Sequence, residues 1–185
     1  MLLMTRKFTV AQYEKMRDVG IIGDREKIEL IEGEIIEMSP IGLKHMAMVM
    51  RLTNILPNLI GNNTLISIQN PITLNDYSQP EPDLVLLKYR QDYYETKQPT
   101  PADILLLIEV SDSTIKYDRE IKLPIYATND VQEVWLINLN NETIEVYRYP
   151  QGTTYQHNQI MRQNEVISSL KLPELFLKIS EIFNH

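Results

Sequence analysis

The chain has 185 residues, 43% of them hydrophobic, no cysteine and a formal net charge of −7; that length suits one domain with its own core, expected to span residues 1–185, and is short for two. The acidic balance excludes a protein that coats nucleic acid by charge alone, and the lack of cysteine excludes disulfide frameworks, thiolate metal centres and cysteine nucleophiles. No stretch approaches the ~18 apolar residues of a membrane span, so the expectation is a soluble, cytoplasmic protein with no membrane role.

Near the N-terminus, Thr9 and Gln12 have capping-box spacing, and Val10, Tyr13, Met16 and Val19 recur at helical intervals up to Gly20. This predicts a short amphipathic helix. Residues 27–38, KIELIEGEIIEM, are two β-rich runs around Glu32-Gly33, a hairpin pattern. From Gly42 to Ile60 a stripe of His45, Val49, Leu52, Leu56 and Leu59 predicts a second helix, with Pro57 bending its last turn and Gly61 stopping it. Two extended runs follow, Thr64 to Gln69 and Asp83 to Lys88, joined by a Pro-rich connection.

The run Ile104 to Val110, ILLLIEV, is apolar except for Glu109, the pattern of a strand buried on both faces at the centre of a sheet. Lys116 to Thr128 reads as a helix despite Pro124, with Ile121 and Ile125 toward the core and Lys122 at its border. Glu133 to Asn138 and Thr143 to Tyr149 should pair as a hairpin. A weak strand near Val166 and a helical segment from Pro173 to Phe183 complete the reading. Trp135 and the ten tyrosines do not alternate with a basic run, so they read as packing rather than base-stacking groups.

Asp83 and Glu109 are the candidate metal ligands. A carboxylate at the end of a buried strand is costly to desolvate unless it is paired, hydrogen-bonded or bound to a cation. If their strands are neighbours, both acids converge at one sheet edge as hard oxygen ligands for Mg²⁺ or Mn²⁺. Lys122 is the candidate cation, with Asp118 four residues earlier placed to orient it. Such a trio can hold a metal, activate water and balance the charge of a phosphoryl group in transit. His45 is a further candidate, as a group contacting phosphate or water. Each residue also has a plain reading: a turn-capping Asp83, a salt-bridged Glu109, a solvated Lys122 and a core histidine at position 45. Glu29, Glu32, Glu34 and Glu37 read mainly as a solvated face from which one could lend a ligand. Lys88, Arg90, Lys116, Arg119 and Lys122 are the material for a basic rim.

The segments PEPDLVLL, LLLIEVSDST, YDREIKLPIYA and VQEVWLIN, together with the early ELIEGEIIEMSP and His45, resemble the Uma-two family, a cyanobacterially abundant branch of the PD-(D/E)XK nuclease superfamily. The resemblance runs from about Ile28 through Tyr149. It implies an α/β restriction-endonuclease-like fold, with a mixed central β-sheet flanked by α-helices. It also implies metal-dependent cleavage of DNA by Asp83, Glu109 and Lys122, and a homodimer. In the usual superfamily motif the lysine lies two residues after the second acid, where this chain has Ser111; in the Uma-type branch it has moved to the following helix, which matches Lys122. A nuclease fold that only binds nucleic acid or protein is the competing class, supported by the net charge of −7. A two-carboxylate glycosidase ranks last, because aromatic platforms for a sugar cleft are missing.

Overall fold

The computed structural model describes residues 5–23 and 26–183. Helix α1 (Val10–Asp18) begins at the expected capping box, in which Thr9 and Gln12 satisfy each other's backbone N–H groups. It ends before Val19, which is exposed, while Val10 and Tyr13 are buried. Strands β1 (Ile28–Ile31) and β2 (Glu34–Glu37) form an antiparallel hairpin closed by Glu32 and Gly33, both at positive φ. Glycine is required at the second position. A Cβ there would lie 2.6 Å from Lys7 Cβ and 3.1 Å from the Phe8 carbonyl oxygen, on a backbone with φ of +78°. Gly33→Ala should therefore cost roughly 1–3 kcal/mol in urea unfolding, although alanine normally rigidifies a chain.

Helix α2 (Leu43–Ile55) buries Val49 and Leu52 of the predicted stripe, together with Met48, and passes into a short 3₁₀ turn at Leu56–Asn58 around Pro57. The central sheet has six strands in sequence order: β3 (Thr64–Ile68), β4 (Leu84–Lys88), β5 (Ile104–Ser111), β6 (Glu133–Asn138), β7 (Thr143–Gln151) and β8 (Thr154–Met161). Only β5 and β6 run parallel; the other neighbouring pairs are antiparallel, so the sheet is mixed. The parallel pair is the one joined by a helical crossover, as its geometry demands. Strands β5 and β6 lie at the middle, consistent with their almost unbroken apolar runs.

Alternation along the strands sends side chains to two covered faces. Leu84, Leu86, Leu106, Ile108, Val110 and Trp135 pack toward α2, together with the C-terminal segment. Val85, Leu107, Val134 and Leu136 pack toward the crossover and toward Ile31 of β1. Trp135 is fully buried, and its indole N–H donates to Glu133 at 2.9 Å, as a packing residue should.

Two expectations need correction. The crossover is not one regular helix: a turn at Ile115–Tyr117 (α3) leads into a π-helical segment at Asp118–Lys122 and then α4 (Leu123–Thr128). The wider π turn shifts the helical phase, leaving Ile121 41% exposed and turning Lys122 inward. The C-terminal segment also differs. Phe176–Lys178 (β10) pairs with Val166–Ser168 (β9), and only Ile179–Phe183 (α5) is helical. Apolar Leu175, Leu177 and Ile179 alternate and are buried, a strand period that the apolar content alone concealed. Strand β8 was not foreseen; it is a polar edge strand held by pairing to β7 rather than by its own burial.

Candidate active site

The β4–β5 register places Leu84 opposite Ile108, so Asp83, just before β4, falls beside Glu109. Pro80 and Pro82 keep the approach to Asp83 extended, which no helix could provide. The two acids interlock through the backbone. The Asp83 N–H donates to Glu109 Oε2 at 3.3 Å, and the Val110 N–H donates to Asp83 Oδ2 at 2.9 Å. The convergence expected for neighbouring strands is present.

Glu109 shares its face of β5 with Leu107 and Ser111, the face covered by the crossover. Lys122 meets it there: Nζ lies 3.1 Å from Glu109 Oε1 and 3.2 Å from Glu29 Oε2. Lys122 is 6% exposed, so it lies inside the site rather than at the border expected from a regular helix. Tyr126, one helical turn later, donates its hydroxyl to the same Glu109 oxygen at 2.5 Å. Asp118 does not orient the ammonium directly. Its carboxylate accepts hydrogen bonds from the hydroxyls of Ser111 and Thr114, fastening the strand end to the start of the π segment. Ser111 thus occupies the usual lysine position but supports the segment that delivers the displaced lysine.

His45 reaches the site from α2. Its Nε2 lies 2.9 Å from Asp83 Oδ2, while Nδ1 is buried without a hydrogen-bond partner. The Gln69 side-chain amide donates to Asp83 Oδ1 at 3.3 Å. Glu29, Gln69 and Tyr126 are the site residues that sequence reasoning did not select. Glu29 was grouped with the other hairpin acids, yet it is 1% exposed, whereas Glu32, Glu34 and Glu37 face solvent. Strand alternation offered no signal, since the hairpin register pairs Ile31 with Glu34 and so puts Glu29 on the same face as Glu34. Tyr126 had none beyond its four-residue spacing from Lys122.

Four buried or half-buried acids, Glu29, Asp83, Glu109 and Asp118, act on one lysine, and the electrostatics follow. Burial, opposed by Lys122 and reinforced by the Asp83 carboxylate, pushes the Glu109 carboxyl up to about 8. Burial disfavours the Lys122 ammonium, but Glu109 and Glu29 outweigh it and hold the amine protonated well above its usual range. Burial likewise opposes a charged His45, and the hydrogen bond and charge of Asp83 overcome it, raising the ring above its ordinary value. The site has more negative charge than its own cations neutralise.

This donor set fits a small divalent cation. Among the described residues, Asp83 Oδ1 and Glu109 Oε2 each accept one long hydrogen bond, of 3.3 Å, leaving hard oxygen lone pairs available. Among the described residues, no three His, Asp or Glu side chains form a ready-made ligand cage. A pair of carboxylates with the remaining positions left to backbone and water is the habit of Mg²⁺ rather than of a tightly caged ion. The site opens into a cleft of about 660 Å³ whose described lining includes seven carboxylate residues and two lysines. The surface cations imagined as a rim are mostly spoken for: Arg119 pairs with Glu145, Arg90 with Asp92 and Lys116 with Glu120.

A six-stranded mixed sheet with helices on both faces, carrying paired carboxylates at strand ends and a lysine from the crossover, defines a restriction-endonuclease-like α/β fold. The chain is similar in fold to a crystal structure described as "a putative nuclease belonging to DUF820 from Anabaena variabilis ATCC 29413", with a TM-score of 0.68 and 20% sequence identity over 95% of this chain and 97% of that one. The chain belongs to the Uma2 family, described as "Putative restriction endonuclease", which it matches over residues 10–180. No curated protein matches it. Among the described residues, no helix is long and apolar enough to cross a membrane.

Proposed function

We propose that this chain is a divalent-metal-dependent endonuclease that hydrolyses phosphodiester bonds in DNA, acting in the cytoplasm as a homodimer of single-domain subunits. The observation that carries the reading is the interlocked Asp83–Glu109 pair with the Lys122 ammonium 3.1 Å from Glu109. Asp83 and Glu109 would hold Mg²⁺ or Mn²⁺, helped by a backbone carbonyl beside Glu109. When bound, such an ion supplies Lewis-acid stabilisation of phosphate charge and a more acidic water.

The chain's own residues do the rest. Lys122 remains an ammonium, so it serves as a hydrogen-bond donor and positive charge and not as the base that deprotonates water. One N–H donates to Glu109 and the ammonium is ion-paired with Glu29, which leaves donor capacity to position the attacking water or a phosphate oxygen. Attack forms a bond from the water oxygen to phosphorus as the bond from phosphorus to the leaving sugar oxygen breaks, the attacking water giving its proton to solvent and the leaving oxygen taking one from solvent. His45 and Gln69 act through Asp83, fixing its oxygens from either side.

Plasmid and oligonucleotide cleavage in Mg²⁺, Mn²⁺ and EDTA tests the reading, alongside calorimetric metal binding. The expected result is metal-dependent cleavage that Asp83→Asn and Glu109→Gln each abolish, with metal binding lost in both. Parent-like metal binding in those variants would place the site elsewhere. The net charge of −7 and the crowding of carboxylates in the cleft, which repels a polyanion unless a metal neutralises it, favour a second reading, a nuclease-fold module that binds nucleic acid or protein without cutting DNA. Gel shifts in Ca²⁺ that show binding, paired with no cleavage in either Mg²⁺ or Mn²⁺, would establish that alternative.

A further inference from the structure

We propose that Glu29 is a positioning residue of this site: its carboxylate shares the Lys122 ammonium, preventing an exclusive Lys122–Glu109 ion pair and so keeping Glu109 available to a divalent cation. This rests on the metal-dependent reading above and adds a residue from the first hairpin to it.

The geometry is that of a divided ion pair. Lys122 Nζ is nearly equidistant from the two acids, 3.2 Å from Glu29 Oε2 and 3.1 Å from Glu109 Oε1, and all three side chains are buried. A lone buried Lys–Glu pair would satisfy both charges and leave Glu109 little reason to bind a metal. With Glu29 present, one positive charge serves two carboxylates, and negative charge is left over beside Asp83.

Glu29 is itself tied to other segments of the site. The Glu81 N–H, two residues before Asp83, donates to Glu29 Oε2 at 3.2 Å, and the Tyr117 hydroxyl donates to Glu29 Oε1 at 3.3 Å. One carboxylate therefore joins β1, the approach to Asp83, and the crossover that carries Lys122. A hairpin acid serving only for solubility would be exposed, as Glu32, Glu34 and Glu37 are. The sharp turn at Gly33 sets the hairpin that delivers Glu29, which gives that turn a role at the site.

Mn²⁺ binding measured by calorimetry on the full chain separates position from charge. Glu29→Gln keeps acceptor and shape but drops the charge, and Glu29→Asp keeps the charge but withdraws it by one methylene. Both are expected to weaken Mn²⁺ binding by roughly tenfold, the usual effect of losing a group that supports a metal ligand. Cleavage should fall in kcat with KM little changed. Parent-like affinity in Glu29→Gln overturns the proposal. A tenfold loss in Glu29→Gln with parent-like affinity in Glu29→Asp also overturns it, since only net charge would then matter. A parent chain that binds no Mn²⁺ overturns the metal-dependent reading and this proposal together, whereas a parent that binds Mn²⁺ tightly beside unaffected variants overturns this proposal alone.

Discussion

Above about pH 8, where the Glu109 carboxyl is ionised, Lys122→Met will abolish cleavage and, without metal, lower the unfolding free energy by about 3–5 kcal/mol, the usual consequence of removing one partner from a buried ion pair. The effect is large because two carboxylates, Glu29 and Glu109, lose their shared cation at once while remaining buried. Part of the loss should return on adding Mg²⁺, because a divalent ion between Asp83 and Glu109 replaces some of the missing positive charge. Urea melts in EDTA and in Mg²⁺ measure both effects. A lysine at the solvent border of a regular helix would have left stability unchanged, so an unmoved midpoint would contradict the inward turn that the π segment produces.

The second large effect is on pH dependence. The Glu109 carboxyl is raised from its ordinary 4.5 to about 8 by burial, with Asp83 adding to the shift against the pull of Lys122. Between these values the folded chain binds a proton that the unfolded chain has released, so stability falls as pH rises. The contribution is fully present below about pH 4.5 and gone above about pH 8. In EDTA the decline attributable to Glu109 should appear between those two pH values. Glu109→Gln should remove this slope, since the amide cannot ionise, leaving the variant more stable than the parent near pH 9.

Metal binding must displace the Glu109 proton, so Mg²⁺ affinity in the parent should rise up to roughly tenfold per pH unit and level off above about pH 8. Chemical denaturation across pH with and without Mg²⁺ tests the two statements together. A parent stability profile that matches Glu109→Gln at every pH would show that the carboxyl is not strained by its burial.

Much of the scaffold was legible in residue order because burial imposes local periods. The capping pair Thr9 and Gln12, the Glu32-Gly33 turn, the stripe on α2 and the apolar runs of β4, β5 and β6 each carry their own signal over a few residues. Asp83 and Glu109 stood out for the same reason, as charges interrupting apolar strands, and the strand register brought them together. Where the local signal was weak the expectations failed. The polar edge strand β8 depends on pairing to β7, and β10 is a strand because β9 supplies its hydrogen bonds.

The finer composition of the site was decided only in three dimensions. No periodicity shows that the crossover takes a π turn, yet that turn determines whether Ile121 or Lys122 faces inward. The hydroxyls of Ser111 and Thr114 fasten Asp118 at its start, a contact between side chains several residues apart. Glu29 looked like its neighbours because a hairpin acid is buried or solvated according to what packs over it. Here the crossover and the approach to Asp83 cover it. The sequence by itself determined the strands with apolar runs of their own, which acids must be explained and which family they resemble. Tertiary structure decided which acid shares the lysine, because the energy of a charge depends on the dielectric and partners around it, and those are assembled from segments distant along the chain.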